Sequence, residues 1–178
     1  ASEAVPEASF TPQFEHEMHF GSLLGRATSE NLNKGVSMEY IGTYRINPYL
    51  GLGAGLGVHT FHHDRFSSYF PLCAVVKGYL SNSSRVTPFG QATLGYGMAI
   101  DQKEGADVVV DATGGLSARG TLGIEIDIGR ALGLMLGAGY QYQRAEEAFN
   151  NSWWWGGGSE IVQQQKYRRI HLQVGIKF

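Results

Sequence analysis

The sequence predicts an all-β fold, an eight-stranded antiparallel up-and-down barrel, from three observations. Apolar residues recur at every second position in eight segments, which is the period of a strand with two unlike faces. The connections between these segments alternate in length along the chain. Glycine makes up 25 of the 178 residues without a G-X-Y period, so we expect the glycines to lie inside ordered strands.

The eight segments follow one another from residue 13 to the C-terminus. The third is the clearest, since Leu52, Leu56 and Val58 alternate with a row of glycines. The last segment alternates in the same way as far as Phe178. The predicted strands are residues 13–26, 36–46, 50–59, 68–80, 87–100, 116–128, 131–145 and 169–178.

The connections are the second signal. Tight links of turn-forming residues occur at Asn47-Pro48, at residues 81–85 and at Gly129-Arg130. Longer stretches lie between them, and we predict these as loops: residues 27–35, 60–67, 101–113 and 145–164. Every connection after an odd-numbered strand is long and every one after an even-numbered strand is short. Outer-membrane barrels show this asymmetry, with short periplasmic turns and long extracellular loops.

Alternation alone leaves open whether the apolar face lines a core, as in a soluble lipocalin-type barrel, or meets lipid. The polar face carries many glycines, which would weaken a solvated surface but would make room for larger side chains inside a narrow barrel. Aromatic residues of the apolar face fall into two groups, as in the interfacial girdles of membrane barrels. These are Phe14, Tyr44 and Phe178 near the turn end, and Phe70, Tyr96, Tyr140 and Tyr142 toward the loop end. We therefore predict a transmembrane β-barrel.

The C-terminus supports the same interpretation, because Phe178 closes an amphipathic last strand. This ending resembles the C-terminal signature of outer-membrane barrels. The chain resembles the small eight-stranded family typified by the transmembrane domain of outer membrane protein A and by outer membrane protein X. The resemblance rests on architecture instead of a residue motif. It implies a transmembrane barrel over residues 13–178 and an N-terminal periplasmic extension over residues 1–12.

The resemblance also implies a location and partners. We expect a bacterial outer-membrane protein whose signal peptide has been removed, since the chain opens on Ala1 without a basic, apolar leader. The expected partners are outer-membrane lipid and lipopolysaccharide, and the assembly machinery, which would recognise Phe178 at the end of the last strand. A net charge of −2 gives no basic surface of the kind that binds nucleic acid.

Charged residues and histidines concentrate on the face that is predicted to line the lumen. An eight-stranded barrel is only just wide enough for its own side chains, so we expect these charges to pair and plug the interior, most tightly toward the periplasm. A narrow gated pore or proton path is the alternative, with His19 and His171 at similar predicted depths on the two closing strands. The predicted network comprises Glu15, Glu17, His19, Glu39, Arg45, Lys77, Arg119, Glu125, Asp127, Arg169, His171 and Lys177.

A second cluster, His59, His62, His63 and Asp64, is a weak candidate for a metal or acid–base site, because such residue types bind divalent ions. A mobile loop lacks the fixed geometry that a site needs, so we expect a solvated loop, and neither metal nor cofactor. Two families of lipid A-modifying enzymes, acyl hydrolases and acyltransferases, share this barrel size. The hydrolase pattern of a His two residues before a Ser is absent, since Gln173 follows His171 at that spacing. We predict a non-enzyme, with a lipid-modifying enzyme as the alternative.

Three consecutive tryptophans, Trp153, Trp154 and Trp155, are the most unusual feature of the sequence. Large aromatic side chains favour the membrane interface and binding surfaces. A loop folded onto the outer leaflet, or recognition of a glycan or protein at the cell surface, would account for them. The predicted function is therefore a structural or cell-surface interaction barrel.

Overall fold

The computed structural model describes residues 10–28, 31–61, 68–80, 85–100, 109–129, 132–153 and 157–178. Every pair of neighbouring strands is antiparallel. The strands are β1 Gln13–Thr28, β2 Asn31–Asn47, β3 Leu50–Thr60, β4 Ser68–Tyr79, β5 Val86–Ala99, β6 Val109–Thr113, β7 Gly115–Asp127, β8 Gly133–Trp153 and β9 Gly157–Lys177. Within these ranges, no helix is long and apolar enough to cross a membrane.

These segments make a closed barrel of eight strands. Strands β6 and β7 both pair with β8 and are separated by Gly114 alone, so together they form the sixth barrel strand. Pairing of β1 with β9 closes the barrel, from Glu17 opposite Lys177 to Leu24 opposite Ile170. The prediction of an eight-stranded antiparallel up-and-down barrel is confirmed.

The stagger of the strands follows from the pairing register. A row of directly opposed residues that leaves β1 at Gln13 returns to β1 at Leu23, a displacement of 23 − 13 = 10 residues. Eight strands with this stagger tilt by about 40° and enclose a backbone cylinder of roughly 8 Å radius. Side chains from opposite walls therefore meet at the centre. The complete row is Gln13, Arg45, Gly51, Lys77, Gln91, Thr121, Gly139, His171 and Leu23.

The two faces of the sheet differ as the alternation predicts. Along β3, Leu52, Leu56 and Val58 point outward and are more than two-fifths exposed, whereas His59 is buried in the lumen. The same contrast recurs around the barrel, so the apolar residues form an outer belt and the polar residues fill the interior. A soluble barrel would have the opposite arrangement.

Several loop predictions are wrong in their boundaries. Residues 31–35 belong to β2, residues 109–113 form β6, and most of the stretch 145–164 belongs to β8 and β9. Backbone pairing continues beyond the apolar belt, where both faces of a strand meet water and apolar alternation has no reason to persist. The sequence pattern therefore ends before the strand does.

Two of the tight turns have the predicted form. The Asn47 side chain accepts a hydrogen bond from the Tyr49 backbone N–H at 2.8 Å, as an Asx turn requires. The backbone N–H of Ile128 donates to the carbonyl of Leu132 at 2.9 Å and closes the turn at Gly129. The link at 81–84 and residues 1–9 of the N-terminal extension lie outside the described residues.

Candidate functional site

The lumen is the candidate site, and its turn-end half centres on Lys77. The side chain of Lys77 is fully buried, with its Nζ 2.5 Å from Glu17 Oε1 and 3.5 Å from Glu125 Oε2. The ring of Phe89 lies 4.6 Å from the same atom, a cation–π contact, and the Met135 sulfur lies 3.9 Å away. One ammonium group thus joins two carboxylates and fills the middle of the barrel. We call these residues the lower layer.

Below Lys77, Lys177 and Glu15 form a rim of ion pairs at the turn end. Lys177 pairs with Glu125 and lies 3.9 Å from Glu15, which Arg45 approaches to 3.5 Å. Asp127 lies 3.6 Å from Lys177, yet its side chain is half exposed. Asp127 therefore belongs to the predicted network at its solvent-facing edge, because β7 ends at this residue and its carboxylate reaches solvent.

A second ionic layer, the upper layer, crosses the lumen nearer the loop end. Arg119 on β7 reaches Glu39 on β2 at 2.5 Å. The other carboxylate oxygen of Glu39 accepts a hydrogen bond from His59 Nε2 at 2.6 Å, and His59 Nδ1 accepts one from the Gln141 amide at 2.7 Å. Four side chains from four different strands are thus linked in one chain of contacts.

This position corrects the predicted loop cluster at 59–64. His59 lies in β3 and is bound inside the lumen, away from any loop site. Phe61 is buried as well, while His62, His63 and Asp64 lie outside the described residues. The described chain contains no group of three or more His, Cys, Asp or Glu side chains placed to hold a metal ion.

His19 and His171 form hydrogen bonds with different partners. His19 Nε2 donates to Glu17 at 2.8 Å, and its Nδ1 accepts a hydrogen bond from the Gln173 amide at 3.1 Å. His171 Nε2 shares a hydrogen bond with the Ser37 hydroxyl at 2.9 Å. Gly21 leaves the space for His171, because a Cβ there would lie 2.1 Å from His171 Nε2. The glycines on the polar face of the strands predict this use of glycine in the lumen.

Arg169 differs from the other predicted network residues. It is buried, but among the described side chains no carboxylate lies within ion-pair distance of its guanidinium. Asp127 at the rim is the most exposed charged residue of the predicted network. The network has five acids, Glu15, Glu17, Glu39, Glu125 and Asp127, and five bases, Arg45, Lys77, Arg119, Arg169 and Lys177.

A buried aromatic cluster, which the alternation pattern did not predict, closes the loop end of the lumen. Leu23, Phe61, Tyr69 and Tyr167 pack together there. The rings of Phe61 and Tyr167 stack at 4.8 Å, and Tyr69 meets Phe61 edge-on at 5.7 Å. Phe61 follows His59 by two residues and Tyr167 precedes Arg169 by two. Extending the alternation of inward-facing residues past the predicted strand ends would therefore have found both.

Of the three tryptophans, the structure describes Trp153. Trp153 is the final residue of β8 and pairs with Gly157, the first of β9. The prediction that Trp153 belongs to a loop is therefore wrong. Trp154 and Trp155 lie outside the described residues.

No protein-family model and no curated protein sequence matches the chain. Solved structures do match. Neisserial surface protein A (NspA) aligns with a TM-score of 0.67 and 17% identity, over 92% of this chain and 95% of that one. The outer membrane protein OprG from Pseudomonas aeruginosa gives 0.65 and 11%, over 93% and 95%. The chain has the fold of a small outer-membrane β-barrel.

A third structure, outer membrane protein AlkL in DMPC lipid bilayers, aligns over 100% of this chain and 95% of its own, with a TM-score of 0.56 and 12% identity. In an outer-membrane-type barrel, the exposed apolar belt is the surface that meets lipid. The aromatic residues Phe14, Tyr44 and Phe178 at the turn end, and Tyr96 and Tyr140 toward the loop end, are each about half exposed on this surface. They lie where interfacial girdles are expected.

Proposed function

We propose that this chain resides in the bacterial outer membrane as a barrel closed by its own side chains, with a structural or cell-surface interaction role. The observation that carries the proposal is the filling of the lumen by side chains. Ionic contacts cross it in a lower and an upper layer, and the aromatic cluster caps the loop end. A cylinder of roughly 8 Å backbone radius has little width left for a solute path once these side chains are in place.

The role in surface interaction is supported by the sheet at the loop end. Strands β8 and β9 pair along their whole length up to Trp153 and Gly157, whereas the pairs of β9 with β1 begin at Ile170. Residues 157–166 of β9 therefore extend roughly 33 Å of strand beyond the aromatic cluster at Tyr167, and β6 adds a third strand to this projection. The proposed partner is a glycan or protein at the cell surface, with Trp153 at the end of β8 and the next two residues in sequence, Trp154 and Trp155, as contact residues.

Planar lipid bilayers test the closed lumen. The reconstituted chain should leave membrane conductance at the level of protein-free bilayers and should admit no small sugars into proteoliposomes. Steady conductance with sugar uptake would contradict the proposal. The surface role is tested on a glycan array, where replacing the three tryptophans with alanine should abolish binding, whereas replacing the lipid-facing Tyr140 with alanine should leave it unchanged.

The enzyme alternative has one pair of residues to consider, Ser37 and His171, which share a hydrogen bond. Both side chains are buried in the lumen, 6% and 1% exposed, and so face away from the surface that meets lipid acyl chains. This placement favours a non-enzyme. Mass spectrometry of lipopolysaccharide incubated with the protein tests this, since loss or gain of an acyl chain would overturn the non-enzyme proposal.

A narrow pore is the second candidate, favoured by polar groups beside the ionic layers. Gln91 and Thr121 face each other on β5 and β7, and their buried side-chain atoms have no hydrogen-bond partner among the described residues. Such groups are compatible with water in the lumen. A proton flux in proteoliposomes that are impermeable to sugars would support a proton path over a fully closed barrel.

A further inference from the structure

We propose that His16 sets the register in which the first and last strands close the barrel, by stacking against the aromatic ring of Phe178. This inference is independent of the proposed function. It concerns the seam between β1 and β9, and it would hold whether or not the lumen conducts.

The register at the seam needs a specific contact. A slip of one residue would turn every apolar side chain of β9 into the lumen, so alternation excludes it. A slip of two residues keeps both faces correct and changes the stagger from 10 residues to 8 or 12. On the outer face most of the residues at these positions are large and apolar, as with Phe20, Val174 and Ile176. The belt alone therefore does not select one even register.

His16 and Phe178 supply such a contact. The backbone N–H of His16 donates to the carbonyl of Phe178 at 3.2 Å, and the N–H of Phe178 donates to the carbonyl of His16 at 2.9 Å. The two rings stack with centroids 5.9 Å apart and planes 14° from parallel. Backbone pairing and ring stacking thus select the same pair of residues.

The His16 ring is itself held by neighbours on two strands. Its Nδ1 shares a hydrogen bond with the Tyr40 hydroxyl on β2, and Phe14 packs edge-on against it at 4.8 Å. Gly42 lies directly opposite His16, and a Cβ there would come within 2.9 Å of Phe14 Cζ. A glycine at this position lets the Phe14 ring fold over the strand and support His16.

A slipped register would lose this arrangement. A two-residue slip would place Phe178 opposite Met18 or Phe14 and move its ring away from the imidazole of His16. The stacking contact between the two rings would then be lost. Lys177 would move from Glu17 to a position opposite His19 or Glu15, so the inner face would change as well.

Disulfide trapping tests the register directly. Cys73 is the only cysteine in the sequence, so a Cys73→Ser background removes competing thiols. Ser22→Cys with Leu172→Cys reports the observed register, because these residues are directly opposed, at a Cα separation of about 5.5 Å that a disulfide spans. Ser22→Cys with Val174→Cys, or with Ile170→Cys, reports a slip of two residues in either direction.

After refolding in detergent, the parent chain should cross-link in the observed register only. His16→Ala should raise cross-linking of a slipped pair several-fold, and His16→Phe, which keeps a ring to stack on, should restore the parent pattern. Phe20→Ala, another large outward side chain of β1, is the matched control and should not change the register. If His16→Ala does not refold, Phe178→Ala should produce the same slipped pair. Cross-linking confined to the observed register in both alanine variants would overturn the proposal.

Discussion

Arg119 on β7 and Glu39 on β2 approach each other from opposite walls of the barrel and meet at 2.5 Å. Around the barrel, three strands separate β2 from β7 in either direction, β3 to β5 on one side and β8, β9 and β1 on the other. The pair therefore spans the diameter of the lumen. Both side chains are buried, so each charge depends on the other for compensation.

Removing one member of this pair should be more damaging than removing both. We expect Arg119→Met to lower the free energy of unfolding by about 3 to 5 kcal/mol, because Glu39 is then left as an uncompensated buried charge. The double variant Arg119→Met, Glu39→Gln should recover a substantial part of this loss. Urea titration in lipid vesicles, followed by tryptophan fluorescence, measures both. Equal losses in the single and double variants would contradict a direct pair.

The two acids near the turn end of β7 should differ strongly. Glu125 contacts Lys77 and Lys177 inside the barrel, so Glu125→Ala should cost about 3 kcal/mol of unfolding free energy. Asp127 lies half exposed at the rim, so Asp127→Ala should cost less than about 1 kcal/mol. The same urea titration gives both values. A loss at Asp127 as large as that at Glu125 would show that the rim is buried.

A charged side chain at mid-height of the outer apolar belt should destabilise the barrel. Leu122 on β7 is the most exposed of the large apolar side chains in the described structure, and Leu122→Arg should lower the unfolding free energy in bilayers by about 2 to 4 kcal/mol. Leu132, next to the turn before β8, is the matched control, and Leu132→Arg should cost at most about 1 kcal/mol. Similar costs at the two positions would argue against a membrane-spanning belt.

Phe178 is proposed as an assembly signal, and this role is separable from its contact with His16. Deleting Phe178 should reduce the amount of folded barrel in the outer membrane of cells far more than it reduces refolding yield in detergent, where no machinery acts. His16→Ala leaves the terminal aromatic residue intact and should affect cellular levels less. Fractionation of cells, with heat-modifiable mobility on gels, measures folded protein. Unchanged levels after the deletion would rule out the signal.

Much of the fold could be predicted because its main signal is local. Alternation along β3 or β7 depends only on neighbouring residues, and it separates the two faces of each strand. The glycines of the polar face and the aromatic residues of the apolar face then indicate that the apolar face meets lipid. The strand number and the tight turn at Asn47 and Pro48 follow from the same kind of pattern. Burial of nearly all the predicted lumen residues follows from their positions in the alternation alone, without knowledge of any partner.

The partners were beyond prediction, since they depend on distant strands. Residues Lys77 and Glu17 are 60 positions apart, and they meet because a stagger of 10 residues brings them to similar heights in a narrow cylinder. The same geometry separates His19 from His171 and leaves Arg169 without a carboxylate among the described side chains. The place of a residue in the alternation shows that its side chain points inward, but it gives no information on the height of that side chain relative to the opposite wall.

The sequence by itself therefore determined the closed, alternating sheet, its lipid-facing belt and its polar interior, because period-two alternation separates the two faces of each strand and the residue types on each face indicate its surroundings. Only the tertiary structure decided the ends of the strands, the stagger and the pairing of charges. Backbone pairing extends past the region where lipid imposes alternation, and contacts across the lumen are set by the register at a seam that joins the two ends of the chain.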